Sequence, residues 1–203
     1  MNSYVALGDS FTAGTGCPPG EGWADRLATA LGGEVDDFAY ENLAQHGATS
    51  ADVRAQLGRA LQLEPDLVTV VCGTNDLLYN RLDPLAYSRN MSAILSGLTR
   101  TLPGVRVVTA TAPERWDFLP LGPRTRTRLE AGLVLLNHAT RGLAAANGVA
   151  VLDVAGHPSL SDARNFAGDG LHPSPLGHRR AAEAFGRLIA DQFEIPIPQE
   201  ALR

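Results

Sequence analysis

The sequence predicts an α/β protein: a three-layer sandwich whose middle layer is a parallel sheet of about five strands. Short runs rich in Val, Leu and Ala suit burial on both faces, and stretches of helical period separate them, which is the pattern of a parallel sheet covered by helices. A third observation sets the functional edge. Polar, chemically capable residues follow three of the apolar runs directly, at the strand carboxyl ends where open α/β sheets place their ligands.

The first strand spans 3–8 and stops against Gly8-Asp9-Ser10, a tripeptide that is either a turn or the delivery of a nucleophilic serine to the sheet edge. Trp23, Leu27, Ala30 and Leu31 mark the first helix. A strand over 38–43 runs into Asn42-Leu43-Ala44-Gln45-His46-Gly47, and Val53, Leu57, Ala60 and Leu61 mark the second helix. The strand at 66–72 carries Cys72 as a small apolar residue and ends in Gly73-Thr74-Asn75-Asp76. Pro84 opens a third helix that Pro103-Gly104 stops near Leu102. After a strand at 105–110, a helix over about 124–147 ends at the cap signal Asn147-Gly148. The last strand covers 149–153. The last helix begins near Ser174-Pro175 and turns Ala181, Ala184, Phe185, Leu188 and Ile189 towards the sheet. Past Phe193, Ile195-Pro196-Ile197-Pro198 cannot continue a helix, so 193–203 is expected as a surface tail. No linker or repeat interrupts the chain, which predicts a single domain over 1–203.

Composition narrows the function. A net charge of -5 argues against a nucleic-acid partner. All 17 basic residues are arginine, which removes Schiff-base, Ser-Lys and P-loop lysine chemistry and fits a GC-rich, bacterial-type coding sequence. Two cysteines, Cys17 and Cys72, are too few for a disulfide framework or a zinc site. The sequence contains no apolar run of membrane-spanning length, and no signal peptide is visible, so a cytoplasmic protein is expected.

The blocks Gly8-Asp9-Ser10-Phe11-Thr12-Ala13-Gly14, Asn42-Leu43-Ala44 with Gly47-Ala48-Thr49, Gly73-Thr74-Asn75-Asp76 and Asp169-Gly170-Leu171-His172-Pro173 resemble those of the GDSL, or SGNH, hydrolase family, in the family's order. The resemblance implies a flavodoxin-like α/β/α sandwich and hydrolysis of a small-molecule acyl ester without metal or cofactor. Residue by residue, it implies Ser10 as nucleophile, His172 as general base and Asp169 as the carboxylate that orients it. The Ser10 and Gly47 N–H groups and the Asn75 amide would form the oxyanion hole. Thr12 breaks the Gly-x-Ser-x-Gly elbow of α/β-hydrolases.

These residue types suit the chemistry. A serine hydroxyl needs a neutral imidazole to take its proton, and a carboxylate three residues before the histidine can hold Nδ1–H while Nε2 faces the serine. Asp9 and Asp76 read as braces of their loops, and His46, His138, His157 and His178 as surface, capping or core residues. Asp9, Asp76, Asp169 and His172 could instead hold a metal for phosphoester hydrolysis, but that leaves Ser10, Gly47 and Asn75 unused. Leu77, Tyr79, Trp116 and Phe118 are candidates to line the acyl pocket, with the 113–123 loop either covering the site or packing beneath itself. An acyltransferase would use the same acyl-enzyme, and a silent binding module would keep the fold alone. A histidine base makes one demand of any of the hydrolytic readings: kcat/KM should rise with pH across the histidine range, about 6 to 7, and then level off. A rate flat from about pH 5 to 8 would contradict it.

Overall fold

The computed structural model describes residues 1–33, 35–79 and 83–202, with Tyr79 and Gln199 described by backbone alone. Five strands, β1 (Ser3–Gly8), β2 (Ala39–Asn42), β3 (Leu67–Val71), β4 (Arg106–Ala110) and β5 (Ala150–Leu152), form one parallel sheet in the order β2-β1-β3-β4-β5. This is the flavodoxin-like order, with a crevice where the crossovers reverse between β1 and β3.

Strand side chains alternate between two cores. Val5, Leu7, Val68 and Val70 pack with α2 (Ser50–Gln62), α4 (Pro84–Thr101) and α5 (Pro123–Asn147). Tyr4, Ala6, Leu67 and Val108 pack on the other face with α1 (Trp23–Gly32) and α6 (Pro175–Phe193), where the Trp23 and Phe185 rings stack at 4.1 Å. Local sequence starts and stops the helices. Thr49 and Asp52 form a reciprocal capping box on α2, Asp83 and Ser174 cap α4 and α6 ahead of a proline, and Gly148 closes α5 in the left-handed conformation.

Two elements differ from expectation. Thr74–Tyr79 is a short helix, α3, where the sequence reads as a loop. Its first turn starts directly from Gly73, whose carbonyl accepts the Asp76 N–H, so no separate cap signal precedes it. The carboxyl-terminal segment is also more than a surface tail. Ile197 is 8% exposed and Leu202 is fully buried, because the 3-10 turn Gln199–Leu202 lays Leu202 over Gly186 between α1 and α6. The prolines end α6, and the apolar residues after them then fill a gap left by a residue without a side chain.

Replacing Leu202 with Ala should therefore cost about 3 kcal/mol, seen as a fall in Tm of about 10 °C. A surface tail would leave Tm unchanged.

Candidate active site

β1 ends at Gly8, whose N–H and C=O are both bound by the Gln56 side chain of α2, each at 3.0 Å. Gln56 is buried, and nothing in its local sequence marks it as a clamp on the strand that delivers Ser10. Beyond Gly8 the chain coils, with Ala13 N–H on Asp9 O and Thr15 N–H on Ser10 O, both at 2.9 Å. The Asn42 amide donates to Thr12 O at 2.9 Å and so ties the end of β2 to this coil.

The carboxyl-terminal segment brings the partner residues. Asp169 accepts the Leu171 and His172 backbone N–H groups on Oδ1, at 2.9 and 3.0 Å, and its Oδ2 lies 2.6 Å from His172 Nδ1. Nε2 of the same ring lies 3.1 Å from Ser10 Oγ. Partial burial works to raise the Asp169 pKa, but the hydrogen bonds from His172 and from the two backbone groups outweigh it and hold the carboxyl below its ordinary value. The turn between them needs Gly170, which has φ +69 and would set a Cβ 2.2 Å from Phe118 O. The 113–122 loop thus abuts the turn that carries the Asp–His pair.

Asn75 opens α3 and is 5% exposed. Its amide donates to Ala48 O at 3.0 Å, which fixes its orientation and uses one of its two N–H groups. Among the described residues, the Ser10 and Gly47 N–H groups have no hydrogen-bond acceptor. Gly47 takes φ +76, and a Cβ there would meet nothing within 4 Å. Backbone conformation, rather than crowding by the protein, is what demands glycine at that position. Asp76 accepts both the N–H and the hydroxyl of Ser50, at 2.8 and 2.6 Å, linking α3 to the start of α2.

Ser10, Asn75 and His172 share one cavity of about 700 Å³ at the carboxyl edge of the sheet. Of the four candidate pocket residues, Trp116 lines it, and is at the same time 6% exposed within the core; the 113–123 loop covers the site and packs beneath itself. Arg126 of α5 holds this loop through the Trp116 and Leu119 carbonyls. Leu77 is not among the lining residues: α3 turns it into the core beneath the sheet edge and offers Leu78 instead. Phe118 also lies off the lining, packed against Phe166, which does line it. The Tyr79 side chain lies outside the described residues.

The histidines separate. His178 is fully buried, with Nδ1 accepting Trp23 N–H at 3.3 Å and Nε2–H donating to Thr15 O at 3.0 Å, so it is a core clamp with both ring nitrogens occupied. His46, read from sequence as a surface, capping or core residue, stands beside the pair: its ring centroid is 5.5 Å from that of His172, and its Nδ1 is 3.2 Å from Thr15 Oγ. His157 caps the 3-10 turn Pro158–Ser161, and His138 is exposed on α5. Among the described residues, no three His, Cys, Asp or Glu side chains gather as a metal ion would require. No helix among them is long and apolar enough to cross a membrane.

Asp9 is 5% exposed beside Ser10, and its Oδ1 accepts Phe11 N–H at 3.0 Å. Burial raises its pKa to about 6, against the lowering effects of the Phe11 N–H and of the His172 charge. A carboxyl with a raised folded pKa binds its proton more tightly when folded. Its stabilising contribution is complete below the unfolded value, about 4, and is lost as pH rises through about 6. Asp9→Asn keeps an oxygen for Phe11 N–H and never ionises, so it should melt higher than wild type at pH 8, by about 3 kcal/mol at most, and match it near pH 4. An equal difference at both pH values would show that ionisation is not the cause.

A model of the GDSL-like lipase/acylhydrolase family matches residues 6–180. No curated protein matches the chain. Among solved structures, the psychrotrophic esterase EstA from Pseudoalteromonas sp. is similar at a TM-score of 0.75 and 18% identity, over 96% of this chain and 100% of that one. A lipase/acylhydrolase from Enterococcus faecalis gives a TM-score of 0.74 and 22% identity, over 95% and 97% of the two chains. The lipase Lip_vut3 from a goat rumen metagenome gives 0.73 and 18%, over 93% and 97%. Identities this low speak for the fold alone. The family match, running from β1 into α6 and across every block that carries the site, speaks for kinship: the chain belongs to the GDSL-like lipase/acylhydrolase family.

Proposed function

We propose that the protein is a metal-independent serine esterase that cleaves carboxylic esters of a small or medium acyl group through an acyl-enzyme on Ser10. The observation that carries this reading is the continuous line from Asp169 through His172 to Ser10, with contacts of 2.6 and 3.1 Å, opening into an apolar cavity.

Ser10 Oγ–H gives its proton to His172 Nε2 as the oxygen attacks the acyl carbon. Asp169 holds Nδ1–H, so the ring keeps the tautomer with a free Nε2 and the imidazolium is stabilised as it forms. The donors assigned to the charge on the carbonyl oxygen are the Ser10 and Gly47 N–H groups, which have no acceptor among the described residues, and the second N–H of the Asn75 amide. Collapse breaks the ester C–O bond, and the alcohol leaves with the Nε2 proton. Water then attacks the acyl carbon, gives its proton to Nε2, and releases the acid with Ser10 restored. Ser10, His172, the substrate and the attacking water handle every proton and electron pair in this sequence. A small-molecule acyl ester is the partner that the cavity suits.

Two variants test the reading with p-nitrophenyl esters. Ser10→Ala should lose at least about a thousandfold in kcat, and Asn75→Ala about a hundred- to a thousandfold, with wild-type turnover unchanged by EDTA. A fluorophosphonate should label wild type and spare Ser10→Ala. Turnover that survives in Ser10→Ala, or that stops with EDTA, would sink the serine mechanism.

A further inference from the structure

Beyond the triad, the cavity continues along a part of α6 that the proposed chemistry does not use. α6 buries Ala182, Phe185 and Ile189 in the core against α1. Adjacent to that stripe, Ala181, Ala184 and Leu188 keep the same helical spacing but are only half-buried and line the cavity, with Ala181 and Leu188 also packed against the edge of the core. The sequence predicts all five of its named positions on the sheet side. The structure divides them: Ile189 is packed in the core, Phe185 is packed there and also borders the cavity, and the other three are left half-buried along its wall.

Leu152, at the end of β5, and Val154 just beyond it line the same cavity. Leu160 and Phe166, from the segment between β5 and α6, also line the space. That segment is held in place by polar contacts. Arg180 of α6 donates to Asp162 and Asn165, at 2.9 and 2.7 Å, and the Asn165 amide donates to Ser159 O at 2.6 Å. A slot lined largely by apolar groups, with alanines at two positions of α6 where larger residues would narrow it, and sharing one cavity with Ser10 has the chemistry of a hydrocarbon site.

We propose that this slot receives the acyl chain of the substrate, that Ala181 and Ala184 set its bore, and that the preferred substrate is an ester of an unbranched medium-chain acid. The proposal rests on the esterase reading and specifies its substrate. Ala181 to Leu188 spans about 10 Å of helix, a length that a medium acyl chain fills and an acetyl group does not. Each methylene drawn from water into the slot should raise kcat/KM about fourfold until the slot is full. The acyl chain enters with its carbonyl at Ser10, so its tail points along α6 towards Glu183 and Arg187, which also border the cavity.

The test compares p-nitrophenyl octanoate with the acetate in wild type, Ala184→Phe, Ala181→Leu and Leu188→Ala, reading the octanoate-to-acetate ratio of kcat/KM. A change in folding lowers both rates and leaves the ratio alone. Wild type should favour octanoate by at least about tenfold. Ala184→Phe and Ala181→Leu should each lower the ratio at least about tenfold, and Leu188→Ala should move the optimum to longer chains. Calorimetric binding of octanoate to Ser10→Ala, alone and combined with Ala184→Phe, reads the slot without catalysis, and the added phenylalanine should weaken binding by a similar factor. Loss of ester turnover with octanoate binding still sensitive to Ala184→Phe would remove the esterase reading and uphold the slot. Ester turnover with a ratio and an octanoate affinity indifferent to all three variants would overturn the slot and uphold the esterase.

Discussion

The geometry of the site depends on one buried imidazole that takes no part in the proposed chemistry. His178 lies in the first turns of α6, six residues after His172, and its ring joins Trp23 N–H at the start of α1 to Thr15 O in the coil after Ser10. One side chain thereby fixes the helix that follows His172, the loop that follows Ser10 and the helix that backs both. Phe11 stacks on the His178 ring and on Trp23, so this polar clamp sits within an aromatic cluster that excludes water. Burial lowers the His178 pKa and favours the neutral ring, the only form with both an acceptor for Trp23 and a donor for Thr15. Ser10 and His172 are 162 residues apart in the chain and meet at 3.1 Å because this clamp holds their two segments in register.

Around that clamp, the polar residues at the sheet edge are divided between those that hold a neighbour and those with hydrogen-bonding capacity to spare. Gln56 occupies both backbone groups of Gly8, Asp76 both donors of Ser50, and Asn42 the Thr12 carbonyl. What they hold in place are groups left with spare capacity: the Ser10 and Gly47 N–H groups, the second N–H of Asn75, and a serine hydroxyl aimed at an imidazole. The proposed chemistry asks for donors that stabilise developing charge without moving, and the surrounding hydrogen bonds supply rigidity of that kind.

The five strands, five of the six helices and the Ser10, Asn75, Asp169 and His172 blocks were legible in the sequence because each is written in local terms. Apolar runs, helical spacing, caps and turn residues act between chain neighbours. The spacing of Asp169 and His172 allows them to meet within one turn, and the Ser10 and Asn75 blocks follow their strands directly, so the sheet brings those two to a common edge. What the sequence determined was the list of parts and the edge at which they gather. Tertiary structure decided the rest: that Gln56 clamps Gly8, that His178 is a structural bridge while His46 stands beside His172, that Leu77 is core and Trp116 is wall, that Leu202 fills the gap over Gly186, and that Ala181 and Ala184 line a cavity. Each depends on contacts between segments far apart in sequence. Whether an apolar residue is packed, exposed or left lining an empty space is set by what the rest of the fold brings opposite it, and no local pattern carries that information.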